Sequence, residues 1–266
     1  MQPEIDIFGL SLKTFGLMFA LGFVGAGAVL SRRLKELGKP ADWSYEIIFA
    51  GLGGGLVGAR LAWILQNWDE ASEDLVGTIF SGAGLVWYGG AIGGALAVFL
   101  WARYRGTLNV GLLDLSAPAL ALGYAIGRVG CQLSGDGDYG RPTDLPWGMA
   151  YPDGTVPTTV DVHPTPIYET LAMGTLAWVL WSMRDHVRPG VLFAVYLLVG
   201  GLERFLVEFI RRNDTVFAGL TTAQLESLTM IVGGAVWLVL ISRSGGLRDP
   251  EGPARRAGGA PRTATA

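Results

Sequence analysis

Charged residues are scarce in this sequence. Asp, Glu, Lys and Arg make up 16% of its 266 residues, whereas a soluble domain usually carries about a quarter. Hydrophobic residues make up 50%, with 40 glycines and nine tryptophans, a composition typical of helices that pack closely in a bilayer. The shortage of charge excludes an ordinary soluble domain and predicts an integral membrane protein.

Cysteine and histidine are also rare. The single cysteine, Cys131, excludes an intrachain disulfide and a cysteine-based metal cluster. The net charge of -3 gives no indication of nucleic-acid binding. We therefore expect no cofactor, no metal and no nucleic-acid partner.

The first nine residues, MQPEIDIFG, contain two acids and no base. A secretory signal begins with a basic region, so we expect the apolar stretch that follows to stay in the protein. Seven stretches are long and apolar enough to cross about 30 Å of hydrocarbon. They lie at roughly 10–30, 46–66, 81–102, 112–133, 166–183, 190–210 and 223–242. The predicted fold class is all-α, a polytopic membrane protein with seven transmembrane helices.

The distribution of Lys and Arg predicts the orientation. Bases cluster after the first, third, fifth and seventh stretches, whereas the N-terminus has none and the segment 67–74 has four acids and no base. Because basic loops stay in the cytoplasm, we expect the N-terminus outside and the C-terminus inside. Residues 1–244 then form the transmembrane domain, with an outer loop at about 134–165 and a disordered tail at 245–266.

Ionisable residues inside a membrane cost several kcal/mol and are functional candidates by default. With the predicted topology, Arg60, Arg128, Arg204, Glu208 and Arg211 all fall toward the outer leaflet. Spacings of four and three place the last three on one helix face. Each residue alone could be a structural ion pair or a helix end. Together, Arg60, Arg128 and Arg204 beside one glutamate, Glu208, leave surplus positive charge, which suits the phosphate of a phospholipid.

Other features allow two interpretations. The glycines of 51–60 and 87–97 indicate either a cavity or close helix packing. Asp136 and Asp138 are suited to polarising a hydroxyl or thiol. His163, which precedes a proline, is either a site residue or a structural one.

Three ordered motifs, GRVGCQLSGDGDYGRPT, HPTPIYE and RFLVEFIRRND, resemble those of the bacterial prolipoprotein diacylglyceryl transferase family. The resemblance extends from residue 15 to residue 228. It implies transfer of a diacylglyceryl group from phosphatidylglycerol to the lipobox cysteine of a preprolipoprotein, with release of glycerol 1-phosphate. It also implies a multi-pass protein of the bacterial inner membrane whose active site faces the outer leaflet.

The resemblance implies roles for single residues. Arg128 and Arg204 match the family's phosphate-binding and essential arginines, and Tyr88 occupies the position of a histidine proposed as the thiol's base. The other residues at family-like positions include those predicted to bind substrate, namely Arg60, Glu208, Arg211, Asp136, Gly140, His163 and Tyr168, and also Asp114, Gly89, Gly90, Glu169 and Gln224.

The sequence departs from the family pattern at the residues concerned with proton transfer. Tyr88 replaces the histidine, Phe15 replaces a tyrosine, and Cys131 and Ser134 replace two asparagines, while Asp136 stands for a glutamate. Either Tyr88 or Asp136 is then expected to assist the thiol. A non-catalytic homologue that binds phospholipid or lipoprotein is the main alternative. A transporter is a weaker alternative, because a transport pathway should place some charged residues at the middle of the membrane, whereas the ionisable residues named above all fall toward one leaflet.

Overall fold

A computed structural model describes residues 2–7, 10–80 and 84–249. In chain order the elements are β1 (Glu4–Ile7), β2 (Leu10–Lys13), α1 (Thr14–Glu36), α2 (Trp43–Gln66), α3 (Trp68–Glu73), α4 (Leu75–Phe80), α5 (Trp87–Tyr104), α6 (Val110–Ser134), β3 (Met149–Tyr151), β4 (Thr158–Val162), α7 (Thr165–Met183), α8 (Val191–Val207) and α9 (Thr222–Arg243). The chain forms two compact units, one of Met1–Val29 with Leu113–Ala266 and the other of Leu30–Leu112.

Each of the seven predicted stretches overlaps a long helix of 17 to 25 residues, and the start of the third stretch, 81–83, lies outside the described residues. Within the described ranges, α1, α2, α6 and α9 are long and apolar enough to cross a membrane. The chain is therefore a mostly helical membrane protein. Seven spans and an outside N-terminus stay predictions.

The prediction of an all-α fold missed two small antiparallel sheets. β1 pairs with β2 at the N-terminus, so α1 begins at Thr14 and not at residue 10. β3 pairs with β4 in the predicted outer loop. The acidic segment 67–74 is also mostly helical, in α3. Strands of three to five residues carry little hydropathy signal, which is why the sequence does not reveal them.

Only the first part of the predicted tail, residues 245–249, belongs to the described residues. Its first part is bonded to the segment between α7 and α8, since Arg188 N–H donates to Leu247 O at 3.0 Å and Asp249 N–H to His186 O at 3.0 Å. Residues 250–266 lie outside the described part of the chain.

Glycines of the second unit let α2 and α5 pack backbone against backbone. A Cβ atom on Gly58 would lie 2.3 Å from Gly89 O, and one on Gly93 would lie 2.3 Å from Gly54 O. Neither position has room for a methyl group. Of the two interpretations of these glycines, the structure supports close packing at Gly54, Gly58, Gly89 and Gly93, and not a cavity.

This packing predicts that Gly93→Ala destabilises the protein. The added methyl group would clash with the α2 backbone, which cannot move aside as a flexible side chain could. Overpacking of this kind lowers the free energy of unfolding by about 1–3 kcal/mol. Gly53→Ala is the matched control because nothing lies within 4 Å of a Cβ atom there. Thermal unfolding in detergent should show a lower Tm for Gly93→Ala only. Equal melting temperatures for both variants would contradict the prediction.

In the first unit, α6, α7 and α8 share one core. Alanines at four-residue spacing on α6 pack against larger apolar residues of the two other helices; the buried set is Ala117, Ala121, Ala125, Met173, Leu176, Ala177, Leu180 and Leu192. Asp114, near the start of α6, accepts hydrogen bonds from Gly190 N–H at 2.6 Å and Phe193 N–H at 2.9 Å. It therefore caps α8, which brings the first turns of α6 and α8 to the same end of the unit.

Candidate active site

Arg128 lies near the end of α6, with 15% of its side chain exposed. Its Nε lies 2.6 Å from Glu169 Oε2, and its Nη1 is ion-paired with Asp138. Nη2 donates to the Tyr124 hydroxyl at 2.9 Å. Tyr124 precedes Arg128 by one helical turn, so α6 supplies both partners of this contact. The arginine at the end of this apolar helix is thus fixed on three sides.

Glu169 links Arg128 to a second arginine. Its side chain, in the first turns of α7, is fully buried, and Oε1 lies 3.1 Å from Arg211 Nη1. Oε2 accepts from the Tyr124 hydroxyl at 2.5 Å as well as from Arg128. Arg211 is also ion-paired with Asp138. Two carboxylates therefore bridge the same two guanidinium groups.

Arg204 and Glu208 continue the network at the end of α8. Arg204 Nη1 lies 2.7 Å from Glu208 Oε2, and Arg211 Nε lies 3.7 Å from the same oxygen. Glu208 Oε1 accepts from Thr221 Oγ1 at 2.8 Å and Asn213 Nδ2 at 2.6 Å. Helix α8 ends at Val207. The hydrogen-bonded turn that follows keeps Glu208 and Arg211 on the same side as Arg204, the side that their spacing predicts.

The charge balance of this arginine cluster, defined as Arg128, Arg204 and Arg211, differs from the prediction. The sequence suggested that Arg60, Arg128 and Arg204 outnumber one glutamate, Glu208, but in the first unit Arg211 is the third arginine. The structure adds Glu169 and Asp138, so three carboxylates face three guanidinium groups. The expectation of a surplus positive charge is wrong, because α7 and the loop after α6 each bring in an acid.

The loop after α6 is bonded to the rest of the site through its backbone. Gly140 N–H donates to His163 O at 2.8 Å, Arg141 N–H to Ile210 O at 2.8 Å, and Thr165 Oγ1 to Asp138 O at 2.6 Å. A Cβ atom on Gly140 would lie 2.6 Å from Ile210 O. Gly140 is thus required by the close approach of two backbones, and these bonds position Asp138.

The two loop aspartates differ in their electrostatics. Burial raises the pKa of Asp136, and the nearby Asp138 carboxylate raises it further. Burial acts in the same direction on Asp138, but Arg128 and Arg211 outweigh it and lower the pKa of that carboxyl. Asp138 is therefore a firm counter-ion, whereas Asp136 is the better proton acceptor of the two.

Cys131 Sγ and the carboxylate oxygens of Asp136 and Asp138 lie within 4.8 Å of one another. Such a set resembles metal ligands by residue type. However, two arginines already neutralise Asp138, and their positive charge disfavours a cation at this place. The described residues thus fit an ion-pair network better than a metal centre.

His163 and Tyr168 lie together at the start of α7. His163 Nδ1 is 3.4 Å from the Tyr168 hydroxyl, which accepts from Trp147 Nε1 at 2.8 Å. The His163 backbone also bonds to Gly140 and Arg141. These bonds support the structural interpretation of His163.

Arg60 and Tyr88 belong to the second unit. Arg60 is buried, donates from Nη1 to Gly84 O at 3.0 Å and lies over the Trp63 ring at 4.9 Å. Tyr88, at the start of α5, is 42% exposed. Next to it, Gly89 is used for close packing against α2.

The first unit brings together Arg128, Arg204, Glu208 and Arg211, whereas Arg60, which was placed toward the same leaflet from the sequence, belongs to the second unit. Tyr124 and Glu169 complete the network; the sequence analysis did not name Tyr124, and it named Glu169 only as a family-like position without a stated role. The sequence contained a signal for Glu169, because it is an ionisable residue at the start of an apolar stretch. Arg128 was chosen for the same reason, as an ionisable residue at the end of such a stretch.

Comparison with known proteins gives one consistent result. The family model described as prolipoprotein diacylglyceryl transferase matches residues 4–240. Three similar proteins, all named phosphatidylglycerol–prolipoprotein diacylglyceryl transferase, come from Clostridium tetani, Gloeobacter violaceus and Vibrio vulnificus. They are 34%, 32% and 30% identical to this chain, over 88%, 90% and 93% of its length and 95%, 92% and 95% of theirs.

Proposed function

The chain belongs to the prolipoprotein diacylglyceryl transferase family, and we propose that its arginine cluster binds the phosphate of phosphatidylglycerol during the transfer. The donor is phosphatidylglycerol and the acceptor is the cysteine thiol in the lipobox of a preprolipoprotein. The protein is a transferase. The non-catalytic alternative has no support in these similarities.

The reaction explains why arginines are needed. The thiol sulfur forms a bond to the glyceryl carbon as the bond between that carbon and the phosphate oxygen breaks. The thioether product keeps the diacylglyceryl group, and glycerol 1-phosphate leaves with the proton that the thiol lost. Negative charge grows on the leaving phosphate, and positioned guanidinium groups stabilise it.

The observation that carries the proposal is the linked network from Arg128 through Glu169, Arg211 and Glu208 to Arg204. Since the charges balance, binding rests on two partly exposed guanidinium groups and not on surplus charge. The exposed fractions are 15% for Arg128 and 22% for Arg204. Their carboxylate partners fix the planes of the guanidinium groups before the lipid binds, which lowers the entropy cost of catalysis.

We place the cluster toward the outer leaflet of the bacterial cytoplasmic membrane. The distribution of bases in the sequence supports this placement. The cap that Asp114 provides also supports it, because α6 and α8 start at one end and carry Arg128 and Arg204 toward the other. Tyr88, Asp136, Arg60, Tyr168 and Gly140 stay predicted contacts to lipid or peptide.

A transfer assay tests the function. The purified full chain, incubated with phosphatidylglycerol and a lipobox peptide, should give a peptide with the mass of one added diacylglyceryl group. A Cys→Ser peptide is the control and should stay unmodified. Phospholipid binding without any thioether product would support the non-catalytic alternative and contradict the proposal.

A further inference from the structure

Helices α7 and α8 place a second glutamate beside Glu169. They are consecutive helices joined by the short segment 184–190, so they run in opposite directions. A Cβ atom on Gly200 of α8 would lie 3.7 Å from Met173 Cε of α7. One turn further along α8 is Glu203, and one turn back along α7 is Glu169. Both carboxyl groups therefore lie on the facing sides of the two helices, at one level.

The surroundings of Glu203 agree with this placement. It interacts electrostatically with Glu169 on α7, with Arg128 on α6, and with Arg204 and Arg211. Glu203 also interacts electrostatically with Tyr124 on α6. On α9, Glu226 interacts electrostatically with Arg204. Glu203 thus lies at the edge of the arginine cluster.

The two glutamates differ in what their oxygens contact. Glu169 is fully buried and accepts from two arginines and a tyrosine. Glu203 is half-buried, and among the described residues no hydrogen-bond donor or ion-pair partner contacts its carboxyl group. Two nearby carboxyl groups in unlike environments are a pattern that serves acid–base catalysis. Glu169 is occupied by the cluster, whereas no described side chain occupies the carboxyl group of Glu203.

The histidine that the family pattern places before the paired glycines of the third apolar stretch is Tyr88 in this chain, so the reaction lacks that proton acceptor. We propose that Glu203 accepts the proton of the lipobox thiol, an inference that rests on the proposed function. The S–H bond breaks, the proton moves to the Glu203 carboxylate, and the sulfur electron pair forms the S–C bond. The C–O bond breaks toward the phosphate, and Glu203 then gives its proton to the leaving glycerol phosphate.

The test is the pH dependence of kcat/KM for Glu203→Gln in the transfer assay. At pH 7 we expect a loss of about 10²–10⁴-fold, the usual contribution of a general base. The loss should shrink as the pH approaches 9.5, because a free cysteine thiol ionises with a pKa of about 8.5 and then needs no base. Glu203→Asp, which keeps a carboxyl group, should retain the wild-type shape of the profile at a lower rate.

Glu70→Gln is the control, since it removes the same charge from an exposed carboxyl group of α3, outside the arginine cluster, and should keep activity within about threefold. Binding of phosphatidylglycerol to Glu203→Gln should be unchanged by native mass spectrometry. A loss equal at every pH, or the pH-dependent loss in Asp136→Asn or Tyr88→Phe instead, would overturn the inference. If wild-type protein gave no thioether at any pH, the proposed function itself would fail, and the inference with it.

Discussion

Arg128→Gln should lower the rate of diacylglyceryl transfer by about 10²–10³-fold, the effect of removing one electrostatic contact to a developing charge. Arg128 is one of two partly exposed guanidinium groups of the cluster and already contacts Asp138, Glu169 and Tyr124. Arg128→Lys should recover little activity, because an ammonium group cannot make the planar bidentate contact to a phosphate. Thioether formation, expressed per folded protein, measures both.

Arg212→Gln is the control for this experiment. Arg212 is exposed and lies over the Tyr139 ring at 4.4 Å, outside the ion-pair network. Its variant should keep activity within about threefold. Full activity in both Arg128 variants would show that the phosphate binds elsewhere in the protein.

Glu169→Gln should have the largest effect on stability. The fully buried carboxylate compensates Arg128 and Arg211 at once and accepts from the Tyr124 hydroxyl. Removing one member of a buried ion pair costs about 3–5 kcal/mol, because the remaining charges stay buried without their counter-ion. We expect a correspondingly lower Tm in detergent and a loss of transfer activity.

Glu36→Gln provides the comparison. Glu36 is paired with Arg33 at 3.0 Å and Arg32 at 3.5 Å on the accessible end of α1, with 28% of its side chain exposed. Exposed pairs contribute about 0–1 kcal/mol, so its Tm should change little. Equal melting temperatures for the Glu169 and Glu36 variants would refute the idea that Glu169 holds the cluster together.

Much of the helical arrangement could be predicted from the sequence. Long apolar stretches locate helices well, because hydropathy summed over about 20 residues is a strong local signal. The ends of the helices were less certain, as at α1, because strand β2 takes up residues that also look apolar. The hairpin of β3 and β4 was missed for the related reason that three to five residues carry too little pattern.

For the candidate site, the part that the sequence reveals and the part that only the structure reveals can be separated clearly. Arg128, Arg204 and Arg211 could be chosen from the sequence alone, since a charge at the end of an apolar helix is costly wherever the chain folds. The sequence therefore determined the class of protein, the positions of the long helices and the family motifs. All of these depend on residues close to one another along the chain.

Only the tertiary structure decided how these charges are balanced. Glu169 compensates Arg128 from another helix, and Glu203 reaches the same level because α7 and α8 run in opposite directions. The glycines of α2 and α5 suited a cavity as well as a contact until the distance from Gly93 to the α2 backbone was known. Coulomb interactions and steric contacts depend on separation in space, and for residues far apart in the chain only the packing of the helices fixes that separation.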